Sequence, residues 1–230
     1  MKFLILSLFL LLTSCQHNKL TSSWHGDHVQ LKELISLSSV QGQQYLHSVD
    51  SKKLKGLKAF WEPQRPSFCG VCSVVIVGNE LNNNNKLDQD NFFSAQVNEM
   101  ISSQVVSRMG LTLREMSQAA AYLMPKVKIK KFYAHTAGLD LFREQLRTEL
   151  KQEKTHMIVN FSRQSLAGKG MNWGHFSIVA AYDVKERKVL VLEVEGSRDS
   201  FWVSDKDLYS AMLAIDPVSR IPRGWAVIKK

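Results

Sequence analysis

The hydrophobic pattern of this chain changes character between Leu150 and Met157, and that switch restricts the fold more than any other feature. Before it, apolar residues recur mainly at helical spacing. Val71, Val74, Val75 and Val77 predict a buried helix starting at Gly70 and ending near Asn79-Glu80, where packing must offset the low helix propensity of β-branched residues. Asn82 to Asn85 then reads as a polar turn. Phe92, Phe93, Val97, Ile101 and Val105 predict a helix over 91–108. Thr112 and Glu115 make a capping-box pattern for a helix that runs to Leu123 and stops before Pro125. Leu139 to Leu150 is amphipathic, and Leu31 to Leu37 is weakly helical. Val127 to Phe132 alternates apolar and basic, as an edge strand does. After the switch the runs are short and apolar: Met157 to Phe161, His175 to Tyr182, Val189 to Val194 and Gly224 to Ile228, with Asp183 to Arg187 as a hairpin connection. Helices first and antiparallel strands second make the class α+β.

The 230 residues suffice for one domain with a full core. Lys2 precedes an apolar run, Phe3 to Leu12, too short to span a bilayer as a mature helix. Leu12-Thr13-Ser14-Cys15 resembles a bacterial lipobox; the plainer alternative is a secretory signal with a chance cysteine. The expected organisation is a signal peptide over 1–14, a lipidated Cys15 with a polar tether over 15–50, and a folded domain over 51–230. Gln16 resembles the outer-membrane sorting pattern. The expected location is therefore the outer membrane, facing the periplasm, with the membrane touched through the lipid alone. The net charge of +9 is scattered, with small clusters at Lys52-Lys53, Lys126 to Lys131 and Lys229-Lys230. No basic stripe with interleaved aromatics is present, which argues against a nucleic-acid partner and for a solvated basic surface. His25 and His28 have a metal-ligand spacing without further ligands nearby, so they read as tether residues.

Chemistry concentrates at Cys69, which opens the first predicted helix. Unpaired N–H groups and the positive end of the macrodipole stabilise a thiolate there. A thiolate can be a nucleophile, a redox centre or a metal ligand. His175, after Gly174 at the start of a strand, supplies a base for the first of these. Glu193 lies in the next strand along the hairpin, where its carboxylate could orient the imidazole. Gln64 precedes the cysteine, and its amide could join the Cys69 N–H in an oxyanion hole. Taken singly, each residue has a bland reading: a core cysteine, a structural histidine, a solvent-face carboxylate. Their order along the chain favours the catalytic one. Cys72, one turn after Cys69, is a potential redox partner that would remove the nucleophile by forming a disulfide.

Several blocks together resemble the phytochelatin synthase family. Phe68-Cys69-Gly70-Val71-Cys72-Ser73 is similar to its nucleophile motif. Asp90-Asn91-Phe92-Phe93 and Gly110-Leu111-Thr112-Leu113 resemble the segments that follow in bacterial members. Asn160-Phe161-Ser162-Arg163 with Gly174-His175-Phe176-Ser177 resembles the strand-loop-histidine block, and Leu192-Glu193-Val194 with Trp202-Val203 the block of the third triad member. The resemblance implies a papain-like fold, with a helical lobe carrying the nucleophile and a sheet lobe carrying histidine and carboxylate. It implies attack by Cys69 on the Cys–Gly bond of glutathione, with His175 taking the thiol proton and returning it to departing glycine. Water or a second glutathione would then resolve the γ-glutamylcysteinyl acyl-enzyme. Arg163 matches a family arginine with substrate or activation contacts, and Gly174 falls in the same substrate-binding block. No obligatory cofactor is implied; Cd²⁺ or Zn²⁺ would act as activators, arriving as metal–thiolate substrate. The chain ends soon after the last block, which resembles half-size bacterial forms, for which hydrolysis is implied to dominate over transfer.

The departures from the pattern are specific. Glu193 stands where the family usually has Asp, and Asp199 is the other carboxylate nearby. Gln64 lies one residue closer to the cysteine than usual. A run from Glu195 to Phe201 replaces the family's basic-aromatic-proline stretch, which leaves the exact thiol peptide open. Two other functions compete: a thiol–disulfide oxidoreductase using Cys69-x-x-Cys72, and a metal-sequestering lipoprotein using both thiolates with His25, His28 or His175. Monomer and homodimer are both compatible with the pattern.

Overall fold

In the computed structural model the described residues are 33–50, 54, 57, 63, 65, 67–83, 86–168, 173–195 and 199–230. The elements in chain order are β1 (Ile35–Ser36), α1 (Val40–Ser48), α2 (Cys69–Asn82), α3 (Ala95–Met100), α4 (Ser103–Met109), α5 (Leu113–Leu123), β2 (Lys128–Tyr133), α6 (Ala134–Ala137), α7 (Leu139–Glu149), β3 (Thr155–Ser162), α8 (Arg163–Ala167), β4 (Gly174–Asp183), β5 (Lys188–Leu192), β6 (Phe201–Ser204), α9 (Asp205–Met212) and β7 (Gly224–Lys229).

The strands form one seven-stranded sheet in the order β1-β6-β5-β4-β3-β7-β2, and every neighbouring pair is antiparallel. Because side chains alternate across a strand, the central strands feed two cores. Ile158, Ile178, Leu190, Leu192, Trp202 and Ala226 face a core with α2 and α5. Met157, Val159, Val179, Val191, Val203 and Trp225 face a second core, capped by Phe142 and Leu146 of α7 and Leu208 and Met212 of α9. Burial on both faces explains why β3 reads as a continuous apolar run and not as an alternating one. β2 is an edge strand, as its alternation predicts, and exposed Lys128, Lys130 and Lys131 protect that edge. The α+β class thus holds as a mixed fold, with helices on both faces of one antiparallel sheet.

Three local expectations change. Residues 91–108 hold two helices, because Ile101 is extended and Ser102 caps a new start, its Oγ accepting the Val105 N–H at 3.4 Å. The weakly helical 31–37 stretch instead supplies β1, and α1 follows, capped by Ser39 on the Gly42 N–H at 3.0 Å. The compact unit therefore begins at Leu31 and takes in residues expected to belong to the tether. The signal segment, Cys15, His25 and His28 lie outside the described residues. Among the described residues no helix is long and apolar enough to cross a membrane.

Candidate active site

α2 starts at Cys69 without help from a capping side chain. Its N-cap is Phe68, which offers no acceptor to the first N–H groups. Such a start forgoes roughly 1 kcal/mol of capping and leaves those donors without a capping side chain. Phe68 is fixed by its ring, which meets Phe93 at 5.5 Å and the Arg65 guanidinium at 5.8 Å. Its carbonyl accepts the Cys72 N–H at 2.8 Å, and the Cys69 carbonyl accepts the Ser73 hydroxyl at 2.8 Å.

β4 brings the base. α2 packs along β4, and the Phe176 N–H donates to Cys69 Sγ at 3.4 Å. His175, the preceding residue, is buried with its ring edge-on to Phe161 at 5.5 Å. Its Nε2 pairs with Glu193 Oε1 at 2.7 Å, which leaves Nδ1 for the thiol. Glu193 sits just past β5, and the chain around it folds back to hold it. Its N–H donates to Ser200 Oγ at 3.1 Å, and Oε1 accepts the Glu195 N–H at 3.1 Å. Arg163, at the start of α8, donates to Glu193 Oε2 at 2.9 Å and pairs with Glu195 at 3.2 Å. The same guanidinium nitrogen lies 3.0 and 2.9 Å from the two ring nitrogens of His175. Imidazole donors and lone pairs diverge in the ring plane, so a nitrogen this near both lies against the ring, in line with neither.

The electrostatics follow from these contacts. Burial opposes ionisation of Cys69, but His175, the Phe176 N–H and Arg163 outweigh it, and the thiol pKa falls below its ordinary 9.0. Burial would lower the His175 pKa, yet its interactions with Cys69 and Glu193 raise it to about 9. Burial likewise opposes the Glu193 carboxylate, while His175, Arg163 and the Glu195 N–H bring its pKa down to about 2. Each shift favours the charged form, so burial is overcome in the direction of thiolate, imidazolium and carboxylate in series. Cys72 is the reverse: burial and the Cys69 charge push it up to about 12, so it stays a thiol.

The phytochelatin synthase family model matches residues 27–225. The chain belongs to this family. Among curated relatives, glutathione gamma-glutamylcysteinyltransferase 2 of Arabidopsis thaliana is 25% identical over 211 residues, covering 85% of this chain and 45% of that protein. Glutathione gamma-glutamylcysteinyltransferase of Schizosaccharomyces pombe is 27% identical over 175 residues, covering 71% and 40%. The chain thus spans less than half the length of these relatives. A solved structure, the peptidase domain of Streptococcus ComA, a bi-functional ABC transporter involved in quorum sensing, aligns with a TM-score of 0.47 at 13% identity, covering 73% of this chain and 95% of that one.

In this member of the family Cys69, His175, Glu193 and Arg163 come together, and Gln64 lies outside the described residues. Asp199 is engaged elsewhere, its Oδ2 accepting the Ser38 hydroxyl at 2.6 Å and the Ser38 N–H at 3.0 Å, with Ser36 on the same oxygen. Arg163, expected to make substrate or activation contacts, meets the protein's own Glu193 and Glu195. Two residues escaped sequence reasoning. Asn160 stands across the β3–β4 ladder from Phe176, buried, with an unpartnered Oδ1. Arg223 is buried before β7, with Nη1 donating to the Ala214 and Ile215 carbonyls at 2.9 Å. Gly174 leaves them room, since a Cβ there would come within 3.0 Å of Arg223 and 3.2 Å of Asn160. The available signal was a polar residue inside an apolar run, Met157-Ile158-Val159-Asn160-Phe161. Among the described residues no group of three or more His, Cys, Asp and Glu side chains could hold a metal ion.

Proposed function

We propose that this chain is a cysteine-nucleophile enzyme that deglycinates glutathione or a related γ-glutamyl thiol peptide. The observation that carries the reading is the relay Cys69–His175–Glu193, with the thiol pKa lowered by its neighbours. The thiolate attacks the Cys–Gly carbonyl, and the oxyanion meets the free N–H groups at the start of α2. The His175 proton, on the nitrogen facing the thiol, passes to the glycine nitrogen as the C–N bond breaks. Glu193 keeps the imidazolium in register. A γ-glutamylcysteinyl thioester remains. Water, deprotonated by His175, releases γ-glutamylcysteine; the amine of a second thiol peptide would give the longer transfer product. Gln64 is a further oxyanion donor in this reading, by resemblance. The relatives' names favour the same substrate class, and the ordering of thiol on a helix and base on a facing strand favours a papain-like arrangement.

The γ-glutamyl group carries an ammonium and a carboxylate. Asn160 Oδ1, a buried acceptor without a partner, suits the ammonium, and a nearby buried arginine suits the carboxylate. Cd²⁺ or Zn²⁺ would enter as the thiolate complex of the substrate, because no group of three or more His, Cys, Asp and Glu side chains among the described residues could hold the ion. Cys15 as lipid anchor and an outer-membrane location belong to the same proposal.

The test is release of free glycine from glutathione by the reduced protein. Loss of release in Cys69→Ser and in His175→Ala, with release retained in Cys72→Ser, supports the reading. No glycine from the wild type, or disulfide exchange that needs both cysteines, overturns it. Asn160→Leu should raise KM about tenfold, the scale of one lost buried hydrogen bond to a charged group, with the rate of Cys69 alkylation unchanged.

A further inference from the structure

The mechanism has no use for Cys72, yet α2 sets it one turn beyond the nucleophilic thiol. Neither cysteine is in a disulfide. We propose that Cys69 and Cys72 form a peroxide-modification site, in which Cys72 resolves oxidised Cys69 and returns it to a reducible state.

Exposure divides the labour between them. Cys69 is 7% exposed and opens the helix at the site, so a small hydroperoxide reaches what a peptide reaches. Cys72 is 0% exposed and lies within the core shared by α2 and the sheet, out of reach of bulk oxidant. Ionisation divides it further, since the thiolate and not the thiol is the nucleophile toward peroxide. Cys69 is therefore oxidised first, and Cys72 meets no electrophile except Cys69.

The spacing permits the second step. Side chains three apart on a helix have Cβ atoms about 5–6 Å apart, and a disulfide needs about 3.5–4.5 Å. The difference falls in the first turn of α2. Its first turn has no capping side chain, and Gly70 lies between the two cysteines. The helical bond at stake is the one from the Cys72 N–H to Phe68, 2.8 Å in length.

The chemistry balances. Cys69 sulfur attacks the nearer peroxide oxygen, the O–O bond breaks, and hydroxide or alkoxide leaves, giving Cys69 sulfenic acid. Cys72 sulfur then attacks Cys69 sulfur. The S–O bond breaks, and the departing hydroxide takes the Cys72 proton as water. Two thiols are oxidised and one peroxide is reduced. The first step also prepares the second: a neutral sulfenic acid no longer presents the Cys69 charge that helps to hold Cys72 protonated. An external thiol reverses the pair by attacking the more exposed Cys69 sulfur. Without Cys72, further peroxide carries the sulfenic acid to sulfinic acid, which thiols do not reduce.

The readout is mass and thiol content of the full chain, independent of any peptide substrate. After a hydrogen peroxide pulse, the wild-type peptide carrying both cysteines should be lighter by two hydrogens and return to its starting mass with dithiothreitol. Cys72→Val should gain two or three oxygens at Cys69 and stay oxidised in dithiothreitol. In Cys69→Ser, which leaves the core side intact, Cys72 should keep its thiol through the same pulse. A wild type that goes directly to sulfinic acid, or Cys72 oxidising as fast in Cys69→Ser as in the wild type, overturns the proposal.

Discussion

At Glu193 one carboxylate does two jobs with two oxygens. Oε1 holds the His175 Nε2, and Oε2 holds Arg163. The Glu193 side chain is long enough to present one oxygen to each. Arg163 is only partly exposed and spends its charge on Glu193 and Glu195, so it steadies the carboxylate more than it advertises a site for substrate. The pairing sets a pH window. Cys69 ionises below its ordinary 9.0, and His175 keeps its proton up to about 9. Activity should rise as Cys69 loses its proton and fall as His175 loses its own, so the alkaline limb lies near pH 9. Glu193→Gln removes one of the interactions that raise His175, and the alkaline limb should then move to lower pH. The measurement is the pH profile of glycine release beside that of Cys69 alkylation. An alkaline limb that stays at its wild-type position in Glu193→Gln would separate the carboxylate from the base. Cys69, His175 and Glu193 were legible in the sequence because nucleophile, base and carboxylate have few replacements. Asn160 left only the trace of one polar residue in an apolar run, and Arg223 left none, because what marks both is burial against Gly174, and burial is a property of the fold.

Among the elements, α2 and β4 make the site, and their contact is a glycine against a phenylalanine. A Cβ on Gly70 would come within 3.0 Å of the Phe176 ring and 3.2 Å of Leu111. Two effects oppose each other in Gly70→Ala. Helix propensity favours alanine by about 1 kcal/mol, and the crowding costs a comparable amount unless the ring shifts. Phe176 carries the N–H that touches Cys69 Sγ, so a shift that relieves the crowding moves the donor. The substitution should leave the thermal midpoint nearly unchanged and lower kcat several-fold. Thermal unfolding measured beside glycine release checks this, and a variant with wild-type kcat would show that the Phe176 contact does not matter. Most helices and strands were visible in the sequence through their periodicity, and the capping box of α5 was visible residue by residue. The break at Ile101 was not, because five apolar residues at helical spacing fit one helix or two equally well. What separates α3 from α4 is the Ser102 cap, a local bond that periodicity does not register.

Across the whole molecule, the segment before the nucleophile braces the carboxylate end of the relay. β1 pairs with β6, which places Leu37 to donate its N–H to the Ser200 carbonyl at 2.7 Å. Ser200 in turn accepts the Glu193 N–H. Ser36 and Ser38 hold Asp199 next to it. α1 adds a second brace, since Trp202 is fully buried beneath it, donates Nε1–H to the Gly42 carbonyl at 3.0 Å and meets the Tyr45 ring at 5.6 Å. Residues 33–48 therefore do more than connect; they close the β6 edge and fix the loop that carries Glu193. The sequence concealed this, because a two-residue strand and a polar nine-residue helix carry almost no periodic signal. Two truncations separate bracing from tethering. Removing residues 1–30 leaves the compact unit from Leu31 to Lys230, and both the thermal midpoint and glycine release should match the full chain. Removing residues 1–48 exposes Trp202 and frees Ser200. Uncovering a large aromatic side chain costs up to about 3 kcal/mol, so the midpoint should fall by several degrees. The loss of activity should exceed the loss of folded protein when both are measured at a temperature where the truncated chain remains folded. Equal activity per folded molecule in the two truncations would mean that Glu193 keeps its place without the brace.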